Sequence, residues 1–215
     1  MMDIDRIFCE PKFSKDEYIS KYGDGYSNLY LLRKDIWWCR GIDPSTKTKI
    51  SNDAGAPFAA FLLIRILFNY IVHLSGTDYQ NYIRKYLPTD LSAKEAEILN
   101  RLRNALEHLS YNLVWTPDIK KGEKGKIIYF AVTEENTESL MEMIDEQENE
   151  ETWIVNIDQL HQAIESSINI LYKDVIKNDQ LSKDILALAG AHSMHVVEKK
   201  ILLDTVKSRS KSHNI

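Results

Sequence analysis

"KIIYFAVTEENTESLMEMIDEQENEETWIVNI", residues 126–157, decides what kind of fold the chain adopts. Lys126 to Val132 is rich in β-branched and aromatic residues, which predicts a strand, and "TWIVNI", Thr152 to Ile157, reads as its antiparallel partner. The acidic run between them shows no apolar periodicity and reads as a loose helix or a loop. On that reading, residues 116–156 are an acidic loop and β-hairpin inserted between helices. The remaining chain is then mainly all-α, a four- to five-helix bundle with a small β-hairpin insertion.

Working outward, Ile157, Leu160, Ile164, Ile168, Leu171 and Val175 recur at helical spacing, the clearest amphipathic pattern in the sequence. After "KNDQ" the pattern resumes from Leu181 to about Val206, with Ile185, Leu188, Ala189, Val196, Leu203 and Val206 on its apolar side, before a basic tail carrying Lys207, Arg209 and Lys211. On the other side of the insertion, "LSAKEAEILNRLRNALEHLSYNLV" opens with Ser92 and Glu95 spaced as a capping box. Its Ile98, Leu99, Leu102, Ala105, Leu106, Leu109 and Leu113 fall within roughly a third of the helical circumference. "PFAAFLLIRILFNYIVHL", Pro57 to Leu74, is apolar enough to suggest a membrane span, but Arg65, Asn69 and His73 stripe one side and the run is short for a bilayer. It reads as a central buried helix, capped by Asn52 or Asp53, with Pro57 in its first turn. A short helix over "YQNYIRKYL" follows and stops at Pro88.

Residues 1–52 form an N-terminal extension whose pattern predicts neither helix nor strand. In "NLYLLRKDIWWCRGI", Trp37 and Trp38 stand side by side and read as one core and one surface contact. The chain of 215 residues is expected to be one domain, and its 44% hydrophobic content suffices for a core. A net charge of -5 excludes coating nucleic acid by overall charge, so any RNA contact is a local site. Only Cys9 and Cys39 are present, and "MMDIDRIFCE" lacks an apolar signal core, which points to the reducing cytosol.

The polar side of the helix ending near Leu113 is dense with functional groups. With Arg103 at zero, Glu107 lies at about 40°, Asn104 at about 100° and His108 at about 140° by the helical step, opposite the leucines. Arg103 with Glu107, and Asn104 with His108, are one-turn neighbours, so each functional group has a side chain to orient it. Histidine exchanges a proton near neutrality, and arginine offers a fixed charge matched to phosphate oxygens. RNA brings its own 2′-hydroxyl nucleophile.

"RNALEH", Arg103 to His108, resembles the R-x4-6-H motif of the HEPN (higher eukaryotes and prokaryotes nucleotide-binding) superfamily, in which a polar residue such as asparagine commonly follows the arginine. The resemblance implies a helical bundle that forms a homodimer with both motifs in one cleft. It further implies a metal-independent endoribonuclease that leaves a 2′,3′-cyclic phosphate and uses no cofactor. Carried over by position, Arg103 and His108 are the catalytic pair and Asn104 supports them. Glu107 is added on helix geometry. Lys120, Lys121, Lys124 and Lys126 are candidates to guide the strand. Such proteins commonly act as toxins or in phage defence, which makes an antitoxin a candidate partner. The alternative is a non-enzymatic helical scaffold, or a nucleotide- or RNA-binding module.

Other features carry less. His192, His195 and Glu198 share a helical face but supply too few ligands for a closed metal site, and His73 and His161 read as structural. "KYGDGYSN" lacks the strand and the lysine of a phosphate loop. "GIDPSTKTKISND" gathers Lys47 and Lys49 with hydroxyl residues; it reads as a turn, with phosphate binding at the following helix as the other reading.

Overall fold

A computed structural model describes residues 3–23, 25–50, 55–88, 91–108, 114–115, 126–133 and 139–191, apart from the side chains of residues 57–58, 93, 103–108, 114–115 and 190–191. Its elements run α1 (Ile4–Ile7), α2 (Lys15–Tyr22), α3 (Asn28–Cys39), α4 (Pro57–Leu74), α5 (Tyr79–Tyr86), α6 (Ala93–His108), β1 (Val114–Trp115), β2 (Ile127–Thr133), β3 (Met141–Glu146), β4 (Glu150–Asn156), α7 (Ile157–Val175) and α8 (Asp179–Ala191).

The stretch from 126 to 157 corrects the expected fold. It contains three strands, and with the two-residue β1 they form a mixed sheet in the order β1-β2-β4-β3, so the protein is an α/β mix and not an all-α bundle with a small hairpin. β2 and β4 pair in parallel, from Ile127 opposite Glu150 to Thr133 opposite Asn156, where an antiparallel hairpin is expected from sequence. The reason is local. The turn after Glu146 is tight, with the Gln147 amide donating to the Glu150 carbonyl at 2.8 Å, so β4 takes its immediate neighbour β3 as antiparallel partner. Its other edge is then left for β2, whose last residue Thr133 lies at the same end of β4 as Met141, the first of β3, so the short connection between them fits a parallel β2. β3 is hidden in the acidic run because it is an edge strand with only Met141 buried; charged side chains suit such an edge.

The parallel register also sets the inner face. Ile128, Phe130, Trp153 and Val155 join one core with Leu67 and Ile71 of α4, Tyr82 of α5, Leu99 and Leu102 of α6, and Ile164, Ile168 and Leu171 of α7. Each such side chain, fully buried, contributes about 1.5–3 kcal/mol of transfer free energy. Glu151 sits among them, 6% exposed, and accepts from the Trp153 indole N–H at 3.1 Å and from Lys94 at 3.3 Å. β4 passes directly into α7: the buried Asn156 caps the helix by accepting from the Gln159 amide at 3.0 Å.

The helices over 93–108 and 157–175 begin where their spacing predicts, and the Ser92–Glu95 capping box is formed. Ile98, Leu99 and Leu102 are buried as expected, Ala105, Leu106, Leu109 and Leu113 lie outside the described side chains, and Val114, expected at the helix end, stands in β1 opposite Tyr129. α4 starts at Pro57 as expected, but its N-cap is Ala56, with no side-chain cap; Asn52 and Asp53 lie outside the described residues. So does everything expected beyond 191, including His192, His195, Glu198 and the basic tail. The N-terminal extension holds three helices. Ser27 caps α3 by accepting from the Tyr30 amide at 3.1 Å, and the Tyr18 hydroxyl accepts from the Ser27 amide and donates to the Arg6 carbonyl, both at 3.0 Å. Among the described residues no single helix is long and apolar enough to cross a membrane.

Candidate functional site

α3 and α7 meet through two matched stripes. Arg33, Trp37 and Arg40 are spaced by four and three residues on α3 and its C-cap, and Asp158, His161 and Glu165 by three and four on α7, so each set shares one face. The helices run antiparallel here, and the stripes pair in reverse order. The Arg33 guanidinium donates from Nε to Glu165 Oε1 at 3.0 Å and from Nη2 to Oε2 at 2.6 Å. The Trp37 and His161 rings lie 4.7 Å apart, tilted by 59°. Arg40 donates to Asp158 and, at 2.6 Å, to His161 Nδ1.

The chemistry of this string follows from its burial. Arg33 is 2% exposed, and its Nη1 donates to the Phe8 and Cys9 carbonyls, so its nitrogens are all satisfied by the protein. Burial pushes the Glu165 carboxyl up, but the Arg33 charge outweighs this and holds it down at about 2. His161 is wholly buried, and burial lowers its pKa. Because arginine can only donate, Nδ1 of His161 must accept, which fixes the neutral ring with its proton on Nε2. That nitrogen faces Glu165 Oε1 at 3.8 Å, beyond hydrogen-bond range. His161 thus stands as a neutral spacer between Arg40 and Glu165 and is not a proton donor poised toward solvent.

A cleft of about 660 Å³ opens beside this string, between the α7 face carrying Gln162, Ser166 and Asn169 and the loop 41–50. The loop is tightly built. The Asp43 amide donates to the Thr48 carbonyl at 2.9 Å, the Lys47 amide to the Asp43 carbonyl at 2.7 Å and the Ile50 amide to the Gly41 carbonyl at 2.8 Å. These bonds hold Lys47 at φ +58°, a conformation non-glycine residues seldom adopt. Gly55 backs the loop at φ +125°, where a Cβ would lie 3.0 Å from the Arg40 carbonyl carbon. The segment "GIDPSTKTKI" is therefore a turn, as its composition suggests, and it also places Lys47 and Lys49 over the cleft.

The residues singled out from sequence are elsewhere. Arg103, Asn104, Glu107 and His108 occupy the last turns of α6, and their side chains are outside the described residues; among the described residues none of α6 lines this cleft. Lys120, Lys121 and Lys124 also lie outside them. Lys126 is engaged by two carboxylates, Glu146 at 2.5 Å and Glu151 at 3.4 Å, which leaves it poorly suited to guide a strand. Trp37 is half-buried and Trp38 is 48% exposed, one inward and one outward as expected. Arg33, Arg40, Asp158 and Glu165 were not legible as a site, although the complementary spacing of Arg-Trp-Arg and Asp-His-Glu is present in the sequence. Among the described residues no group of three or more His, Cys, Asp or Glu side chains is placed to hold a metal ion. Comparison with protein-family models, curated proteins and solved structures finds no match to this chain.

Proposed function

We propose that the protein is a metal-independent endoribonuclease of the HEPN type, acting as a homodimer in the cytosol, with a neutralising antitoxin as its candidate partner. Arg103 holds the non-bridging oxygens of one phosphate, and His108 moves the proton. The 2′-hydroxyl attacks the adjacent phosphorus, the bond from phosphorus to O5′ breaks, and a 2′,3′-cyclic phosphate and a 5′-hydroxyl remain. The 2′-hydroxyl proton leaves through one base, and the departing O5′ receives one from its acid.

The observation that supports this reading is the state of α6. It runs unbroken to His108 with Ile98, Leu99 and Leu102 buried at 2–3% exposure, so the helical step puts positions 103 and 108 away from that buried arc. Free Cys9 and Cys39 accord with a reducing compartment.

The test is cleavage of single-stranded RNA in EDTA by the purified protein and by Arg103→Ala and His108→Ala. Loss of cleavage in both variants, with cyclic-phosphate ends from the parent and unchanged dimer mass by light scattering, supports the enzyme. Equal cleavage by variants and parent would assign the activity to a contaminant, and no cleavage by the parent would favour the binding-module reading.

A further inference from the structure

We infer that the cleft between loop 41–50 and α7 is a binding site for a nucleoside phosphate. The inference stands apart from the ribonuclease reading, because it is argued from α3, α7 and the loop 41–50, and among the described residues none of α6 lines this cleft.

The charges facing the cleft do not balance. Arg33 pairs with Glu165, Arg40 with Asp158, and Lys12 with Glu10 at 2.8 Å. Lys47 and Lys49 have no carboxylate partner among the described residues, so the cleft carries an excess of two positive charges in a chain whose net charge is -5. An anion is the complement to such an excess.

Arg40 supplies the built element. Its side chain is 6% exposed and fixed from behind by Asp158 and His161. Those two bonds use two of the five guanidinium N–H groups; the others have no partner among the described residues. The Trp37 indole Nε1, on the same wall, is buried without a hydrogen-bond partner there. A buried, pre-oriented fork with donors left over is matched to phosphate oxygens, and Lys47 and Lys49 of the loop line the same cleft.

The remainder of the cleft suits a nucleoside. Its volume of about 660 Å³ lies in the range of small-molecule sites, roughly 300–1,000 Å³. Trp37, Ile42 and Pro44 give the lining apolar surface against which a base can lie, and the Gln162 and Asn169 amides in the same lining offer both donors and acceptors for base or ribose edges. Phosphate, base and ribose thus each have a suitable group in the lining.

The experiment is titration of the full chain with ATP by calorimetry and tryptophan fluorescence, in the parent and in Lys47→Asn with Lys49→Gln. Asparagine tolerates the left-handed backbone at position 47, so this pair removes charge without unfolding the loop. Saturable binding below 1 mM, weakened at least tenfold in the double variant and unchanged in Arg103→Ala with His108→Ala, is the expected result. No saturation at 1 mM, or equal affinity in the double variant, would overturn the inference. Inorganic pyrophosphate binding as tightly as ATP would overturn the nucleoside part. A ten-nucleotide RNA that binds more tightly than ATP and is weakened by the same substitutions would replace a nucleotide pocket with a strand contact.

Discussion

Replacing Glu165 by glutamine tests the buried string most directly. The substitution keeps the side-chain shape and one carbonyl acceptor but leaves the Arg33 charge, 2% exposed, without its counter-ion. Removing one partner of a buried ion pair costs about 3–5 kcal/mol. A second route to the magnitude is the carboxyl's own titration: depression from its ordinary 4.5 to about 2, at about 1.4 kcal/mol per pH unit, corresponds to about 3 kcal/mol. The sign follows from the direction of the shift. A carboxyl depressed on folding contributes its full stability above pH 4.5, and that contribution falls as the pH drops toward 2. Urea unfolding followed by tryptophan fluorescence should therefore find Glu165→Gln about 3 kcal/mol less stable than the parent at pH 7, with a gap that narrows to about 1–2 kcal/mol at pH 3. A gap below about 1 kcal/mol at pH 7, or one that does not change with pH, would refute a charge-bearing role for this pair.

Other consequences are simpler. Asn156→Ala removes the cap that couples β4 to α7 and should lower stability by about 1–2 kcal/mol in the same assay, with unchanged urea dependence. Gly55→Ala places a Cβ against the backbone of Cys39, Arg40 and Gly41 at a φ that alanine resists; it should cost about 2 kcal/mol by thermal melting and weaken ATP binding through the displaced Arg40. His161, lowered by burial, binds its proton more readily in the unfolded chain, so stability should fall as pH drops below about 6.5, and His161→Gln should flatten that portion of the profile.

The sequence was legible where burial is one-sided. α6 and α7 each have an apolar stripe in sequence, and the residues described as buried, Ile98, Leu99 and Leu102 in α6 and the stripe from Ile157 to Val175 in α7, coincide with it. α3 was not, because it is buried nearly all round with Arg33 and Lys34 inside, so its apolar residues do not mark an inner face. The sheet failed for the opposite reason. β3 buries only its first residue, leaving no alternation to read, and without it β2 and β4 invite pairing as a hairpin. Of the cleft and the string beside it, Lys47 and Lys49 were read together, as a turn with phosphate binding as the other reading, while Trp37 and His161 were noticed singly. What joins them is the antiparallel apposition of two helices separated by more than 100 residues, a relation that periodicity within either helix does not contain.

The two ends of the string are not equivalent, and this separates stability from binding. At one end, every nitrogen of Arg33 is taken up by Glu165 or by backbone carbonyls, so its role is complete within the protein. At the other, Arg40 is held by Asp158 and His161 with donors left over beside a cationic cleft. A buried ion pair as such adds little that well-packed apolar groups of similar volume cannot, so the two ends are told apart by binding and not by stability. Replacing the closed end by Arg33→Met with Glu165→Leu should lower urea stability by about 1–3 kcal/mol, because the Phe8 and Cys9 carbonyls lose their donor, and leave ATP affinity within threefold. Replacing the open end by Arg40→Met with Asp158→Leu should cost a comparable amount, because His161 Nδ1 loses its donor, while reducing ATP affinity more than tenfold. Equal losses of affinity from the two double variants would mean that the cleft responds only to the packing of α3 on α7, and the distinction between a closed and an open end would fall.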